Sequence, residues 1–259
     1  MTIPFYKYQG TGNDFVILDN RTGNFTQLTS VEIANLCDRR FGIGADGLMM
    51  LQLKEGYDFE MVYYNADGNE GSMCGNGGRC LVAFAKDLGV IDKTAAFLAT
   101  DGFHEAVVKE NGWIELKMKD VDKVEKFADH TILNTGSPHY IRWEKDIAKT
   151  AVFEEGKRIR YSPPFSEVGI NVNFVQLHDD ALSVRTYERG VEAETLSCGT
   201  GVTAAAIAAS SSTIGQQEKK ILTPGGELKV KFEKKSDTSF ENIWLCGPAT
   251  FVFSGSIEL

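Results

Sequence analysis

No apolar run in the sequence approaches the ~20 residues that a membrane-spanning helix needs. The opening, MTIPFYKYQG, lacks the charged-then-apolar layout of a signal peptide. Positive charge is scarce: 27 Lys and Arg face 36 Asp and Glu, for a net charge of −9 and a pI near 5.1. Phosphate backbones need a basic face, so nucleic acid is excluded as the main partner. Five cysteines is an odd number, and no spacing suggests a disulfide framework. There is no C-x-x-C of a redox dithiol and no paired C-x₂₋₄-C of a zinc site, so no metal is expected. The glycine loop 41–47, FGIGADG, is not followed by G-K-[ST], which leaves it a weak phosphate signal. No low-complexity tail or long linker interrupts the chain. These absences fit a globular protein of the reduced cytoplasm, with no membrane and no nucleic acid among its partners.

What the sequence does contain is a matched pair of cysteine motifs. Cys74-Gly75-Asn76-Gly77 and Cys198-Gly199-Thr200-Gly201 each place a cysteine just before Gly-x-Gly, and each runs into an apolar, Ala-containing segment. That segment reads as a buried helix, apolar or small nearly all round. A cysteine at its N-terminus meets unpaired N–H groups and the positive dipole end, which favour a thiolate. The two cysteines lie 124 positions apart, and the same offset relates Tyr63 to Tyr187, Thr11-Gly12 to Thr135-Gly136 and Ile17 to Ile141. An internal duplication is the natural reading of self-similarity at a fixed period.

Each half alternates strands with short helices. Strands are expected over 3–9, FVILDN, LMMLQL and FEMVYYN, and over three segments between 95 and 119 with a hairpin turn at Glu110-Asn111-Gly112. Thr29 with Glu32 predicts a helix start, and Cys37 falls inside that helix as core. The helix after Cys74 should stop near Gly89. The charged stretch 120–129 lacks periodicity and predicts the boundary, giving a first half 1–122 with Cys74 and a second half 123–248 with Cys198. The final strand, 249–259, is expected to pack back on the first half. The second half starts with a strand, HTILNTG, a turn at Gly136-Ser137-Pro138-His139 and a helix within 146–162. Strands then lead to Glu188-Arg189, which the offset sets opposite Tyr64-Asn65.

Two thiols on helix ends could bind a metal, form a redox couple, or be buried structural groups. The last is the reading for Cys37, Cys80 and Cys246. A fourth option suits Cys74 and Cys198: acid and base on opposite faces of one carbon, inverting a stereocentre without a cofactor. The carbon must adjoin a carboxylate, and helix N-termini would stabilise the charge that builds there.

The runs YKYQGTGNDFVILDN, GIGADG, YYNADGNEGSMCGNGGRC, GSPHY, INVNFV and YERGVEAETLSCGTG resemble the diaminopimelate epimerase family over essentially the whole chain. The resemblance implies a cofactor-independent isomerase that interconverts LL- and meso-diaminopimelate in lysine and cell-wall precursor synthesis. It implies an α/β (α+β) fold of two pseudo-symmetric domains, each a mostly antiparallel sheet wrapped around a central helix. Cys74 and Cys198 match the catalytic thiols. Gly75, Asn76, Gly199 and Thr200 match the groups that hold the reacting carboxylate. Asn13, Asn65, Asn171, Glu188 and Arg189 match substrate-binding positions, and Glu188 with His139 matches the polar pair beside the thiols. A small-molecule substrate is thus the expected partner, and a homodimer is the assembly entertained. Three departures stand out: Gly47 where many members have Gln, Ser137 where many have Asn, and one extra residue between Arg189 and Cys198. Other readings are a racemase of proline-like substrates, or a non-catalytic thiol sensor or amino-acid-binding module.

Overall fold

The computed structural model describes residues 1–259. The chain forms two compact units, Met1–Leu116 with Gly247–Leu259, and Lys117–Cys246. In the first, β1 (Thr2–Gly10) and β2 (Asn13–Asp19) are joined by the tight turn Thr11-Gly12, where both residues hold positive φ, 53° and 84°. Helix α1 (Ser30–Cys37) crosses to β3 (Gly47–Gln52), parallel to β2, and β4 (Phe59–Asn65) returns antiparallel. Helix α2 (Gly75–Asp87) crosses to β5 (Thr94–Ala99), parallel to β4; β6 (Gly102–Val108) and β7 (Ile114–Lys117) follow as an antiparallel run.

The second unit repeats this plan. It contains β8 (Val124–Lys126), β9 (His130–Asn134), β10 (Pro138–Trp143), α3 (Val152–Arg160), β11 (Asn171–Leu177), β12 (Ala181–Glu188), a short β13 (Ala193–Thr195), α4 (Gly199–Ala208), β14 (Gly215–Thr223), β15 (Gly226–Lys234) and β16 (Phe240–Gly247). The last strand, β17 (Thr250–Glu258), pairs with β1 in the first unit. Strand order is β17-β1-β2-β3-β4-β5-β6-β7 in one unit and β8-β9-β10-β11-β12-β14-β15-β16 in the other. Every step has the same direction in both, parallel only where a helix makes the crossover.

Both faces of each sheet are covered, which is why β3 is a continuous buried run rather than an alternating one. Val16, Leu18, Leu48 and Met50 face α1 through Ile33, Leu36 and Cys37. The opposite face, with Phe15 and Met49, meets α2 at Gly77. In the second unit Val152 and Ile159 of α3 cover Val172, Phe174 and Tyr187. The sheets wrap α2 and α4, whose residues are buried almost all round. Helix α1 starts where Thr29 and Glu32 form a reciprocal capping box.

Three local features differ from the sequence reading. The stretch 120–129, expected only to mark the boundary and to lack periodic structure, carries a strand: Val121 bridges Phe240 and Val124–Lys126 form β8, so its charges decorate a sheet edge. Pro138 and His139 lie in β10 rather than in a turn, since the positive φ of 111° at Gly136 completes the reversal earlier. The third concerns the repeat. Phe15 pairs with Gly47 and His139 with Asn171, in step at the 124 offset. The next pairing slips by one residue: Met49 faces Tyr63, but Asn173 faces Thr186. Asn65 therefore corresponds to Glu188, not to Arg189. The Tyr63/Tyr187 identity is likewise no equivalence, because a one-residue slip turns a side chain to the other face of the sheet. Tyr187 packs on α3, where a Cβ at Gly156 would lie 2.3 Å from its own Cβ.

Candidate active site

In the first unit the extended chain enters α2 through Cys74, with φ −109° and ψ 124°. The first intrahelical bond runs from Gly78 N–H to Cys74 O at 2.7 Å, so the N–H groups of residues 75–77 lie ahead of it, at the positive end of the dipole. The Cys74 thiol donates to Asn13 Oδ1 at 3.6 Å, and Asn76 Nδ2 donates to the same oxygen at 3.3 Å. Asn13 is oriented from behind: its Nδ2 donates to Asp46 Oδ2 at 2.7 Å. Asp46 pairs with Arg39, Arg39 with Asp14, and Asp14 with Lys7 at 2.6 Å. Burial disfavours the Asp14 charge, but the hydrogen bonds from Arg39 and Lys7 outweigh it and hold the carboxyl down at about 2.

Arg79, one turn along α2, is fully buried. Its guanidinium donates to Gly75 O at 3.2 Å, Asn76 Oδ1 at 3.0 Å and Thr11 Oγ1 at 3.3 Å. One fork thus fixes the helix start, the Asn76 amide and the β1–β2 turn. The glycines of the motif answer to packing as well as to ligand approach. A Cβ at Gly77 would lie 3.1 Å from the Met49 thioether, and one at Gly78 would lie 2.7 Å from Met73 Cε. Asn65 ends β4 in an exposed position, its N–H bonded to Asn69 O at 2.9 Å.

The second unit builds the same helix entry at Cys198, with φ −113° and ψ 112°, and a first bond from Val202 N–H to Cys198 O at 2.9 Å. Cys198 Sγ lies 3.5 Å from Thr200 Oγ1, and Thr135 Oγ1 donates to Thr200 O at 2.8 Å. A Cβ at Gly201 would come within 2.3 Å of Asn173 Oδ1, so the buried amide demands glycine there. Asn173 joins two other side chains. Its Oδ1 accepts from Thr186 Oγ1 at 2.9 Å, and its Nδ2 donates to His139 Nδ1 at 3.0 Å. That bond puts the imidazole proton on Nε2, a buried donor with no hydrogen-bond acceptor in the protein. Burial, and then the Arg189 charge, push His139 down to about 3, so the ring is neutral near pH 7.

Asn171 organises the other polar residues. Its Oδ1 accepts from Arg189 N–H at 2.9 Å, and its Nδ2 donates to Ser137 Oγ at 2.9 Å and Pro138 O at 3.1 Å. Arg189 Nη2 reaches the same hydroxyl at 3.3 Å, so Ser137 ties Asn171 to Arg189. Glu188 Oε2 accepts from Thr195 Oγ1 at 2.8 Å, which engages the short strand β13.

The first unit therefore gathers Asn13, Cys74, Gly75 and Asn76, with Asn65 at the strand end nearby in the chain. The second gathers His139, Asn171, Glu188, Arg189, Cys198, Gly199 and Thr200. Sequence reasoning missed Asp14, Asp46, Arg79, Asn173 and Thr186. The available signal was the alternation Asn171-x-Asn173, two amides on one face of a buried strand, where an apolar pair is the usual choice. The other cysteines are core. Burial pushes the Cys37 and Cys80 thiols up to about 12, and Cys246 is 2% exposed.

A family model described as diaminopimelate epimerase matches residues 5–124 and 131–252, nearly the whole of both units. The chain belongs to the diaminopimelate epimerase family. The diaminopimelate epimerase of Flavobacterium psychrophilum is 50% identical over 256 residues, covering 97% of this chain and 99% of that one. Among solved structures, a PhzF-family phenazine biosynthesis protein of Bacillus anthracis matches with a TM-score of 0.79 at 16% identity, over 100% of both chains. A hydroxyproline epimerase of Agrobacterium vitis matches with a TM-score of 0.70 at 12% identity, over 99% of this chain and 92% of that one. At those identities the likeness is one of fold. For a diaminopimelate epimerase family member, the repeated helix entries are the natural place to look for chemistry. No helix in the chain is long and apolar enough to cross a membrane.

Proposed function

We propose that the chain interconverts LL- and meso-diaminopimelate, with Cys74 and Cys198 as the acid–base pair. The observation that carries this reading is the like construction of the two helix entries: a cysteine in extended conformation, glycine next, and the N–H groups of the first turn directed ahead of the helix. One sulfur, as thiolate, takes the proton from the α-carbon, breaking its C–H bond. The other, as thiol, gives its proton to the opposite face and forms the new one. Turnover leaves the two protonation states exchanged, so the reverse reaction starts from the product enzyme without an added cofactor. The negative charge that builds toward the α-carboxylate needs donors preorganised around it. Gly75-Asn76 and Gly199-Thr200 are proposed to supply them. The neutral His139 adds a buried Nε2–H suited to a carboxylate or a thiolate.

Asn65, Asn171, Glu188 and Arg189 are assigned to the far amino-acid end of the substrate. A guanidinium suits a second carboxylate, and a small cyclic substrate of the proline type would leave Arg189 nothing to bind. The reaction is placed in the cytoplasm, where free thiols persist. The test is α-proton exchange into heavy water with LL-diaminopimelate, with L-proline run in parallel. Exchange with the first and not the second is expected. Cys74→Ala and Cys198→Ala should each lose epimerisation by orders of magnitude, because acid and base act as one unit. Normal turnover by either variant would refute the assignment.

A further inference from the structure

Gly47 and Gly71 are glycines for the same reason. A Cβ at Gly47 would lie 2.6 Å from Tyr63 Cε2, 2.6 Å from Tyr64 O and 3.0 Å from the Tyr63 hydroxyl. A Cβ at Gly71 would lie 2.6 Å from Tyr63 Cδ1 and Cε1, the opposite edge of the ring. The aromatic ring is therefore slotted edge-on between two positions that have no side chain. Its hydroxyl lies beside the place where a side chain at position 47 would begin. The Phe15 ring packs against it edge to face, with centroids 6.1 Å apart and planes at 75°.

Strand alternation and register say which face this is. Asn13 and Phe15 alternate on β2, Phe15 pairs with Gly47 on β3, and Gly47 pairs with Asn65 on β4, two residues beyond Tyr63. All five belong to the face that meets α2. They form a strip with Asn13, which accepts from the Cys74 thiol, at one end and Asn65 at the other. The segment leading to Cys74 runs beside the ring, since Gly71 N–H donates to Tyr63 O at 2.8 Å. In the second unit the register counterpart of Gly47 is Asn171, an amide, and that of Tyr63 is the smaller Thr186. Where the second unit carries a polar side chain on its strand, the first carries none and delivers a phenol hydroxyl from the neighbouring strand.

We propose that Tyr63 contacts the substrate and helps determine specificity. Its hydroxyl bonds the non-reacting amino-acid end alongside Asn65, and Gly47 and Gly71 are the seat that places it there. The inference rests on the reading of Cys74 and Asn65 given above. A phenol hydroxyl can donate to a carboxylate and accept from an ammonium, so it reads either group of that end.

Tyr63→Phe removes the oxygen and keeps the ring in its slot. Steady-state kinetics with LL-diaminopimelate should show KM raised by roughly tenfold or more, with kcat nearly kept, as for a contact made equally in ground and transition states. The melting temperature should stay near that of the native protein. Gly47→Ala, which pushes the ring aside, should raise KM in the same way. The double variant should be no worse than the poorer single one, because both act through one hydroxyl. An unchanged KM in Tyr63→Phe overturns the inference, and so does a double variant whose loss is the product of the two single losses. If the native protein exchanges no α-proton of diaminopimelate, the functional reading fails and this inference with it. If the native protein is active and Tyr63→Phe matches it, only this inference fails.

Discussion

Lowering the pH from 7.5 to 5 should weaken the fold through His139 in particular. The ring is completely buried, its Nδ1 accepts from Asn173, and burial and the Arg189 charge together depress it to about 3. In the unfolded chain an unperturbed histidine titrates near 6.5. The folded state therefore binds fewer protons than the unfolded one between those values. The stability this group contributes is complete above 6.5 and is lost as pH falls toward 3. The slope is about 1.4 kcal/mol per pH unit below 6.5, which amounts to about 2 kcal/mol between pH 7.5 and 5. Urea unfolding at the two pH values measures it, with His139→Gln as the reference that lacks a titrating ring. Carboxylates contribute to the pH dependence of both proteins, Asp14 among them, so the informative quantity is the difference between the two slopes. A native protein whose stability changes with pH no more than that of His139→Gln would refute the burial argument. It would mean that the imidazole reaches water or finds an acceptor for its second proton.

Two further outcomes follow from other sites. Iodoacetamide at pH 8 should alkylate Cys74, which is partly exposed at its helix entry, well before Cys37 or Cys80; with thiols pushed up to about 12, those two are thiolate in only about one molecule in 10⁴. Peptide mapping after partial inactivation checks this, and first labelling at Cys80 would contradict it. Thr29→Ala removes one half of the α1 capping box and should cost about 1 kcal/mol, measured by denaturant midpoint, without changing KM; no loss would mean that Glu32 alone satisfies the helix end.

The helix entries were legible in the sequence because their signal is local. A cysteine followed by Gly-x-Gly and an apolar, small-residue run specifies a buried helix with a thiol at its N-terminus, and α2 and α4 begin at Gly75 and Gly199. The strand order was legible only as a repeat, and the repeat misled at one point. A constant offset assigns Arg189 to Asn65, whereas β12 pairs one residue out of step, which a count along the chain does not register. Asn173, Thr186 and Arg79 were not legible for a related reason. Each has a partner on another element, Thr186 for Asn173 and the β1–β2 turn residue Thr11 for Arg79, and cross-strand register and helix seating decide those contacts. Gly47 was noted as an oddity of sequence; its cause, the Tyr63 ring, lies on the next strand.

The return of β17 to β1 has a consequence for the order in which the protein can be assembled. The second unit is one continuous stretch, Lys117–Cys246, while the first is closed by residues 247–259. During synthesis, β1 therefore emerges with one long edge unsatisfied and must wait for the entire second unit to be translated before its partner strand arrives. The later-made unit can be complete before the earlier-made one. For that interval the nascent chain carries an open sheet edge, the feature most prone to pairing with another chain.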